Sequence, residues 1–173
     1  IGCNAIFRDH NLEYIVACDR HMCQEAANTV GKNTTIYTRE NWYKQFAYWS
    51  NVKKVPDLPY EGDKRADDPF HWGTGQFAAL VGMDLYGIGD HKGPEGVNNI
   101  YKGSKGYTYI KRPVDPKYWI YQFNKLFEHS ECRWIIINDE KWIMPDEWKA
   151  HKNVFQDTYE GMAKFVNTQL TKK

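Results

Sequence analysis

Short apolar runs alternate with amphipathic stretches along the chain, and this alternation indicates an α/β fold. The apolar runs have the length and the β-branched or aromatic content of buried strands. The predicted strands are Ile1–Asn4, Tyr14–Cys18, Thr34–Thr38, Val52–Val55, Leu80–Leu85 and Arg133–Asn138. Strands that alternate with helices in this way form parallel pairs joined by right-handed crossovers.

Helices are predicted between the strands from apolar residues at helical spacing. The first covers Arg20–Asn28, with Asp19 as its N-cap and Gly31 as its stop signal. The others are expected at Asn41–Trp49, after the Gly73-Thr74-Gly75 turn, over Tyr118–Phe127 behind an Asp115-Pro116 start, and over Val154–Leu170. The last helix is amphipathic, with one apolar face made of Phe155, Tyr159, Met162, Val166 and Leu170.

We expect a single Rossmann-like domain over residues 1–173, an open and mostly parallel sheet flanked by helices. A chain of 173 residues suits one domain. Ile88–Lys111 is rich in Gly and Tyr, which favours a long functional loop. Gly73–Met83 is short for a turn, a helix and most of a strand. Either this helix has one or two turns, or residues are missing near positions 79–81, and the opening Ile1 predicts an incomplete start.

Composition argues against several classes of protein. A net charge of +1 and a pI near 7.8 argue against binding to nucleic-acid phosphates. No run approaches the roughly 18 apolar residues of a membrane span. The chain has four cysteines, Cys3, Cys18, Cys23 and Cys132, which is few for its length. The spacing of Cys18, His21 and Cys23 fits no common zinc site. We expect buried thiols, no metal and a cytoplasmic protein.

Polar residues follow the predicted strands on one side of the sheet, where α/β proteins bind ligands. They are Asn4, Asp19, Thr38, Asp84 and Tyr86. The Gly73-Thr74-Gly75 turn opens a helix, so its backbone N–H groups could hold a phosphate; a tight turn with close helix packing explains it equally well. The long loop adds Asn98, Asn99, Tyr101, Tyr107 and Tyr109.

Three short blocks of sequence occur in a characteristic order. They are Cys3-Asn4-Ala5-Ile6-Phe7, Thr74-Gly75-Gln76-Phe77-Ala78-Ala79 and Gly82-Met83-Asp84-Leu85-Tyr86-Gly87. In this order the blocks resemble bacterial sialyltransferases of the family 42 type, and the Rossmann domains of flagellin-modifying and phage-encoded glycosyltransferases. The resemblance covers about half of the chain as scattered segments. It implies a metal-independent, inverting transfer from a nucleotide-sugar, a CMP-sugar first of all, with no tightly bound cofactor.

The resemblance also implies roles for individual residues. Asn4, Thr74, Gly75 and Asp84 would line the nucleotide pocket. The family's phosphate-binding tyrosines have no matching motif here, and position in the long loop makes Tyr101, Tyr107 and Tyr109 the candidates. The family's opening G-x-G loop would precede Ile1. Its catalytic base is a histidine of the lid, for which the candidates are His91, out of pattern, and His71, just before the Gly-Thr-Gly turn.

Three functions therefore follow from the sequence. The first is a nucleotide-sugar-dependent glycosyltransferase acting on a glycan or other hydroxyl acceptor, in the host cytoplasm if phage-encoded. The alternative is a non-enzymatic module, a phage accessory or virion protein that forms a homo-oligomer or binds a virion partner. The third is a domain that binds NAD or S-adenosylmethionine, with Asp19 as a ribose-binding acid, although no phosphate fingerprint accompanies it.

Overall fold

The computed structural model describes residues 1–58, 60–63, 67–68, 70–80 and 117–171. These residues divide into two compact units, one ending at Leu80 and one beginning at Lys117. No helix in the described parts of the chain is long and apolar enough to cross a membrane.

The first unit contains a four-stranded parallel sheet in the order β1-β2-β3-β4. Its strands are β1 Gly2–Cys3, β2 Tyr14–Val16, β3 Thr35–Thr38 and β4 Val52–Lys54. Cys3 is paired with Val16, and Thr38 with Lys54, so the carboxyl ends of all four strands lie along one edge. The α/β prediction with an open parallel sheet is confirmed.

Helices connect and flank these strands. A 3-10 helix covers Asn4–Arg8, and the α-helices are α1 Arg20–Thr29, α2 Glu40–Phe46 and α3 Thr74–Leu80. Helix α1 buries Met22, Cys23, Ala26 and Ala27 because these residues recur at helical spacing. They pack with Ile15 and Ile36 of the sheet into one apolar core. Helix α3 follows β4 in the chain but contacts β1 and β2.

The second unit combines three helices with a pair of parallel strands. Its elements are α4 Lys117–Glu128, β5 Trp134–Asn138, α5 Asp146–Lys149, β6 Val154–Thr158 and α6 Tyr159–Leu170. Its core is aromatic, with Phe123, Phe127 and Trp148 fully buried and in mutual ring contact. The Trp148 indole N–H donates to the Ile120 carbonyl at 2.9 Å, which satisfies its polar atom.

The predicted helix over Val154–Leu170 is wrong in its first part. Val154–Thr158 forms strand β6, which pairs along its whole length with β5. The helix begins only at Tyr159, where the Thr158 side chain accepts a hydrogen bond from the Gly161 N–H at 3.0 Å. The spacing of Phe155 and Tyr159 imitates one turn of helix, but pairing with a neighbouring strand overrides that local pattern.

Other element boundaries also need correction. Leu80 is the last residue of α3, so the strand predicted from Leu80 does not begin there, and residues 81–85 lie outside the described residues. The seven residues of α3 agree with the prediction of a helix of one or two turns. Asp19 occupies the N-cap position of α1, but its side chain makes no capping hydrogen bond. The helix α5 was not predicted, and the loop predicted at 88–111 is outside the described residues.

Candidate functional site

Asn4 is the first residue beyond β1 at the carboxyl edge of the sheet. Its φ of 49° lies in the left-handed region, which asparagine tolerates better than most side chains. This conformation lets the strand turn at once into the 3-10 helix. The Asn4 Oδ1 atom is buried and accepts no hydrogen bond from the residues that the structure describes. Because a buried polar atom is normally satisfied, an unfilled acceptor here is a candidate contact for a ligand.

Two predicted site residues at this edge differ in their surroundings. Thr38 is the last residue of β3, and Asp19 follows β2. Thr38 is fully buried, and its hydroxyl donates to the Ala17 carbonyl at 2.7 Å, across the edge of the sheet. It also hydrogen-bonds the Cys23 side chain. The hydroxyl of Thr38 is therefore occupied by structural contacts. Asp19 is exposed and lies at the start of α1.

The Gly73-Thr74-Gly75 turn is brought to this edge by α3, which contacts β1 and β2. Thr74 hydrogen-bonds the side chain of Cys18, which follows β2. A Cβ added at Gly75 would meet no described atom within 4 Å, so close packing does not explain this glycine. The turn therefore lies at the same edge as Asn4, and no described residue packs closely against Gly75.

Arg39 is a member of the site that the sequence analysis missed. It follows Thr38 directly, and its Nη2 atom donates to the Trp72 carbonyl. Its guanidinium carbon lies 5.7 Å from the centre of the Phe70 ring. It also hydrogen-bonds the Cys18 side chain. Its Nε atom is buried and has no hydrogen-bond partner in the described part of the chain. The available signal was a cation placed immediately after a predicted strand.

Trp72 and Gln76 add two further buried polar atoms without partners. Trp72 is fully buried against Phe77 and Tyr60, at 5.9 and 6.3 Å between ring centres, yet its indole Nε1 makes no hydrogen bond. Gln76 on α3 is 2% exposed, and its Oε1 atom accepts none. Tryptophan and glutamine side chains buried this deeply usually find partners.

Two buried cysteines lie under this edge and carry no charge near neutral pH. Burial raises the pKa of the Cys18 thiol to about 12, although the Arg39 guanidinium and the Thr74 hydroxyl act in the opposite direction. Burial likewise raises the pKa of Cys23 to about 11. Because the thiolate is the reactive form, these residues serve packing rather than nucleophilic chemistry.

His71 is the predicted base that falls within the described residues. It is exposed, its backbone N–H donates to the Asp68 carbonyl at 2.7 Å, and its ring meets Phe70 edge-on at 5.8 Å. It precedes Trp72 in the chain, so it belongs to the segment that contacts Arg39. The other predicted site residues lie outside the described residues: Asp84, Tyr86, His91, Asn98, Asn99, Tyr101, Tyr107 and Tyr109.

The described side chains at this edge offer hydrogen-bond donors and acceptors. No three His, Cys, Asp or Glu side chains are grouped as a metal site within the described ranges. Asn4 and Gln76 offer acceptors, and Arg39 and Trp72 offer donors. No protein-family model matches the chain, and no curated protein and no solved structure matches it either. The site must therefore be interpreted from its own residues.

Proposed function

We propose that the carboxyl edge of the first unit binds a nucleotide-sugar and that the protein is a glycosyltransferase. The observation that carries the proposal is the group of buried polar atoms without partners on Asn4, Arg39, Trp72 and Gln76. Leaving such an atom unsatisfied costs about 1–3 kcal/mol, so a ligand that supplies the missing partners gains that free energy on binding. The sugar donor, a CMP-sugar, is proposed from the resemblance to sialyltransferases.

A nucleotide matches both kinds of missing partner. The Asn4 and Gln76 oxygens can accept hydrogen bonds from a base amino group or from ribose hydroxyls. The Arg39 and Trp72 nitrogens can donate to phosphate oxygens. Thr74 and Gly75 lie at the same edge, where no described atom would contact a Cβ at Gly75.

The proposed reaction is an inverting transfer without metal. A base removes the proton of the acceptor hydroxyl, whose oxygen attacks the anomeric carbon while the bond from that carbon to the phosphate oxygen breaks. The departing nucleotide carries the negative charge, which the Arg39 cation stabilises. His71 is the candidate base among the described residues, and His91 is the second candidate. The acceptor is a glycan or another hydroxyl-bearing molecule.

A thermal-shift panel tests the nucleotide site. The midpoint of thermal unfolding of the full chain is measured without ligand and with saturating CMP, UMP, GDP, NAD or S-adenosylmethionine. A ligand at 100 times its Kd adds about 2.7 kcal/mol to the free energy of unfolding and raises the midpoint by several degrees. We expect CMP to give the largest shift. A response to NAD or S-adenosylmethionine alone would contradict the proposal.

Asn4→Gly is the matching variant, because glycine keeps the left-handed backbone of Asn4 and removes the side chain with its amide. We expect about a tenfold loss of CMP affinity, equivalent to one hydrogen bond of about 1.4 kcal/mol. Asn33→Gly, at an exposed loop position, is the control and should bind CMP as the wild type does. Equal CMP affinity in both variants would remove Asn4 from the site.

The second candidate is a non-enzymatic interaction module. It is favoured by the apolar side chains that α6 leaves exposed, which are Tyr159, Met162, Phe165 and Val166. Contiguous exposed apolar residues are typical of protein-contact surfaces. Isolation of the protein in a stable stoichiometric complex, together with no response to any nucleotide, would support this function over the transferase.

A further inference from the structure

We propose that Arg39 and Trp72 form an oxyanion subsite that holds a phosphate group of the ligand. The identity of that ligand as a nucleotide rests on the function proposed above, whereas the preference for an oxyanion does not. The subsite includes an arginine that neither the sequence motifs nor the resemblance singled out.

Arg39 is held by contacts of its guanidinium group that leave its Nε donor without a partner among the described residues. Its Nη2 atom donates to the Trp72 carbonyl, and the Phe70 ring lies 5.7 Å from its central carbon. Its Nε atom is buried without a partner. A guanidinium presents its donors in a rigid fork that fits two oxygens of one anion. Arg39 is therefore oriented before any ligand arrives.

The charge of Arg39 has no carboxylate partner in the described parts of the chain. Arg8 provides the comparison within this protein, since it is also partly buried. Its Nε and Nη2 atoms bind both oxygens of Glu25, at 2.8 and 2.9 Å. A buried charge is expensive unless it is paired. At Arg39 the Nη2 atom donates to the neutral Trp72 carbonyl instead, and no described carboxylate takes the place that Glu25 has beside Arg8.

The neighbours of Arg39 do not compensate for this missing anion. The Cys18 thiol beside it is neutral, because burial raises its pKa to about 12. Phe70 is half exposed, and a cation–π contact with an exposed ring is weak. The Trp72 carbonyl is a neutral acceptor. The local environment therefore favours a ligand that carries full negative charge.

Trp72 supplies the second, independent observation. Its side chain is fully buried, its indole can only donate, and that donor has no partner. Arg39 likewise can only donate. Two residues joined by a hydrogen bond thus both require acceptors, and a phosphate group brings several acceptor oxygens together with its charge. Among the parts of CMP, the phosphate alone has this character.

Comparison of CMP with cytidine tests the subsite, because the two ligands differ only by the phosphate. In the full chain, we expect Arg39→Gln to raise the Kd for CMP about tenfold or more and to leave the Kd for cytidine unchanged. Arg39→Lys, which keeps the charge but loses the Nε donor, should give an intermediate loss. Arg20→Gln is the matched control, since Arg20 is exposed and its Nε bonds Gln45. It should change neither Kd.

Trp72→Phe keeps an aromatic ring and removes the indole N–H, so it tests the second donor if Arg39→Gln fails to fold. We expect this variant to bind CMP more weakly than the wild type and to bind cytidine with unchanged affinity. Inorganic phosphate and pyrophosphate are the remaining probes. If no nucleotide binds but pyrophosphate stabilises the wild type and not Arg39→Gln, the subsite stands and the proposed transferase function fails.

Unchanged CMP binding in the variants would also separate the oxyanion subsite from the proposed nucleotide site. If CMP binds Arg39→Gln and Trp72→Phe as tightly as the wild type, the subsite is wrong and the nucleotide proposal survives. If neither nucleotides nor inorganic phosphate and pyrophosphate stabilise the wild type, both proposals are overturned. An equal loss of CMP and cytidine affinity in all three variants would assign Arg39 and Trp72 a structural role instead.

Discussion

Buried polar residues at the carboxyl edge of the first sheet fall into two groups, those whose polar atoms have hydrogen-bond partners among the described residues and those with an atom that has none. Thr38 belongs to the first group, since its hydroxyl bridges to the Ala17 carbonyl. Asn4 and Trp72 belong to the second, because each keeps a buried polar atom without a partner. The division separates residues that hold the edge together from residues that are available to a ligand.

Thr38→Val tests the structural assignment of Thr38. The change keeps the shape of the side chain and leaves the buried Ala17 carbonyl without its donor, so we expect the free energy of unfolding to fall by about 1–3 kcal/mol. Denaturant unfolding measures this loss. Thr168→Val on α6 is the control, because its hydroxyl bonds the Lys164 carbonyl at an exposed position and the cost there should be below about 0.5 kcal/mol. Equal losses would contradict the assignment.

The sequence located Asn4 and Thr74 but not Arg39, for a physical reason. Asn4 and Thr74 stand in motifs, or directly after a strand, where local pattern indicates their position. An arginine after a strand resembles any solvated surface charge. What distinguishes Arg39 is its contact with Trp72, which lies 33 residues away in the chain. Contacts of that range depend on how α3 returns to the sheet, and no local pattern encodes them.

At the scale of elements, prediction succeeded where local pattern and tertiary pairing agree. The run Ile135–Ile137 reads as a strand and forms the centre of β5. Helix α1 begins and ends within a residue of its expected bounds, since its apolar spacing and its packing coincide. Prediction failed at β6, where Val154–Thr158 carries a helical spacing but pairs with β5. Only the presence of the neighbouring strand decides between the two.

The corrected start of α6 leads to a prediction about its cap. Thr158 accepts from the Gly161 N–H, whereas Asp19 at the start of α1 makes no equivalent bond. Thr158→Ala should therefore destabilise the first turn of α6 by about 1 kcal/mol and speed amide hydrogen exchange at Gly161. Asp19→Ala is the counterpart and should have a smaller effect on α1. Unchanged exchange at Gly161 would show that the cap contributes nothing.

At the scale of the whole molecule, the buried thiols link stability to alkaline pH. The pKa of Cys18 is raised from 9.0 to about 12, and that of Cys23 to about 11, both by burial. The folded state thus holds protons that the unfolded chain releases above pH 9. The stabilisation is complete below pH 9 and is lost as pH rises from about 9 towards 12.

Cys18→Ala should reduce the loss of stability at alkaline pH. Between pH 9 and 10 we expect the free energy of unfolding to fall less steeply in the variant than in the wild type, by about 1 kcal/mol per pH unit for the one thiol removed. Cys132→Ala is the control, because Cys132 is exposed and its removal should leave the slope unchanged. Identical slopes in all three proteins would show that burial does not shift Cys18.

The strand order β1-β2-β3-β4 has a consequence for how this protein is made. Each of these strands pairs with the one that precedes it in the chain, so every pairing closes a short loop and the described sheet grows by addition at one side. Such a sheet can assemble stepwise while the chain leaves the ribosome, which releases its domains from the N-terminus onward. Asn4, Cys18 and Arg39 would then lie at the same edge of the sheet before Trp72 is synthesised. The segment that contains Trp72 would complete the site afterwards.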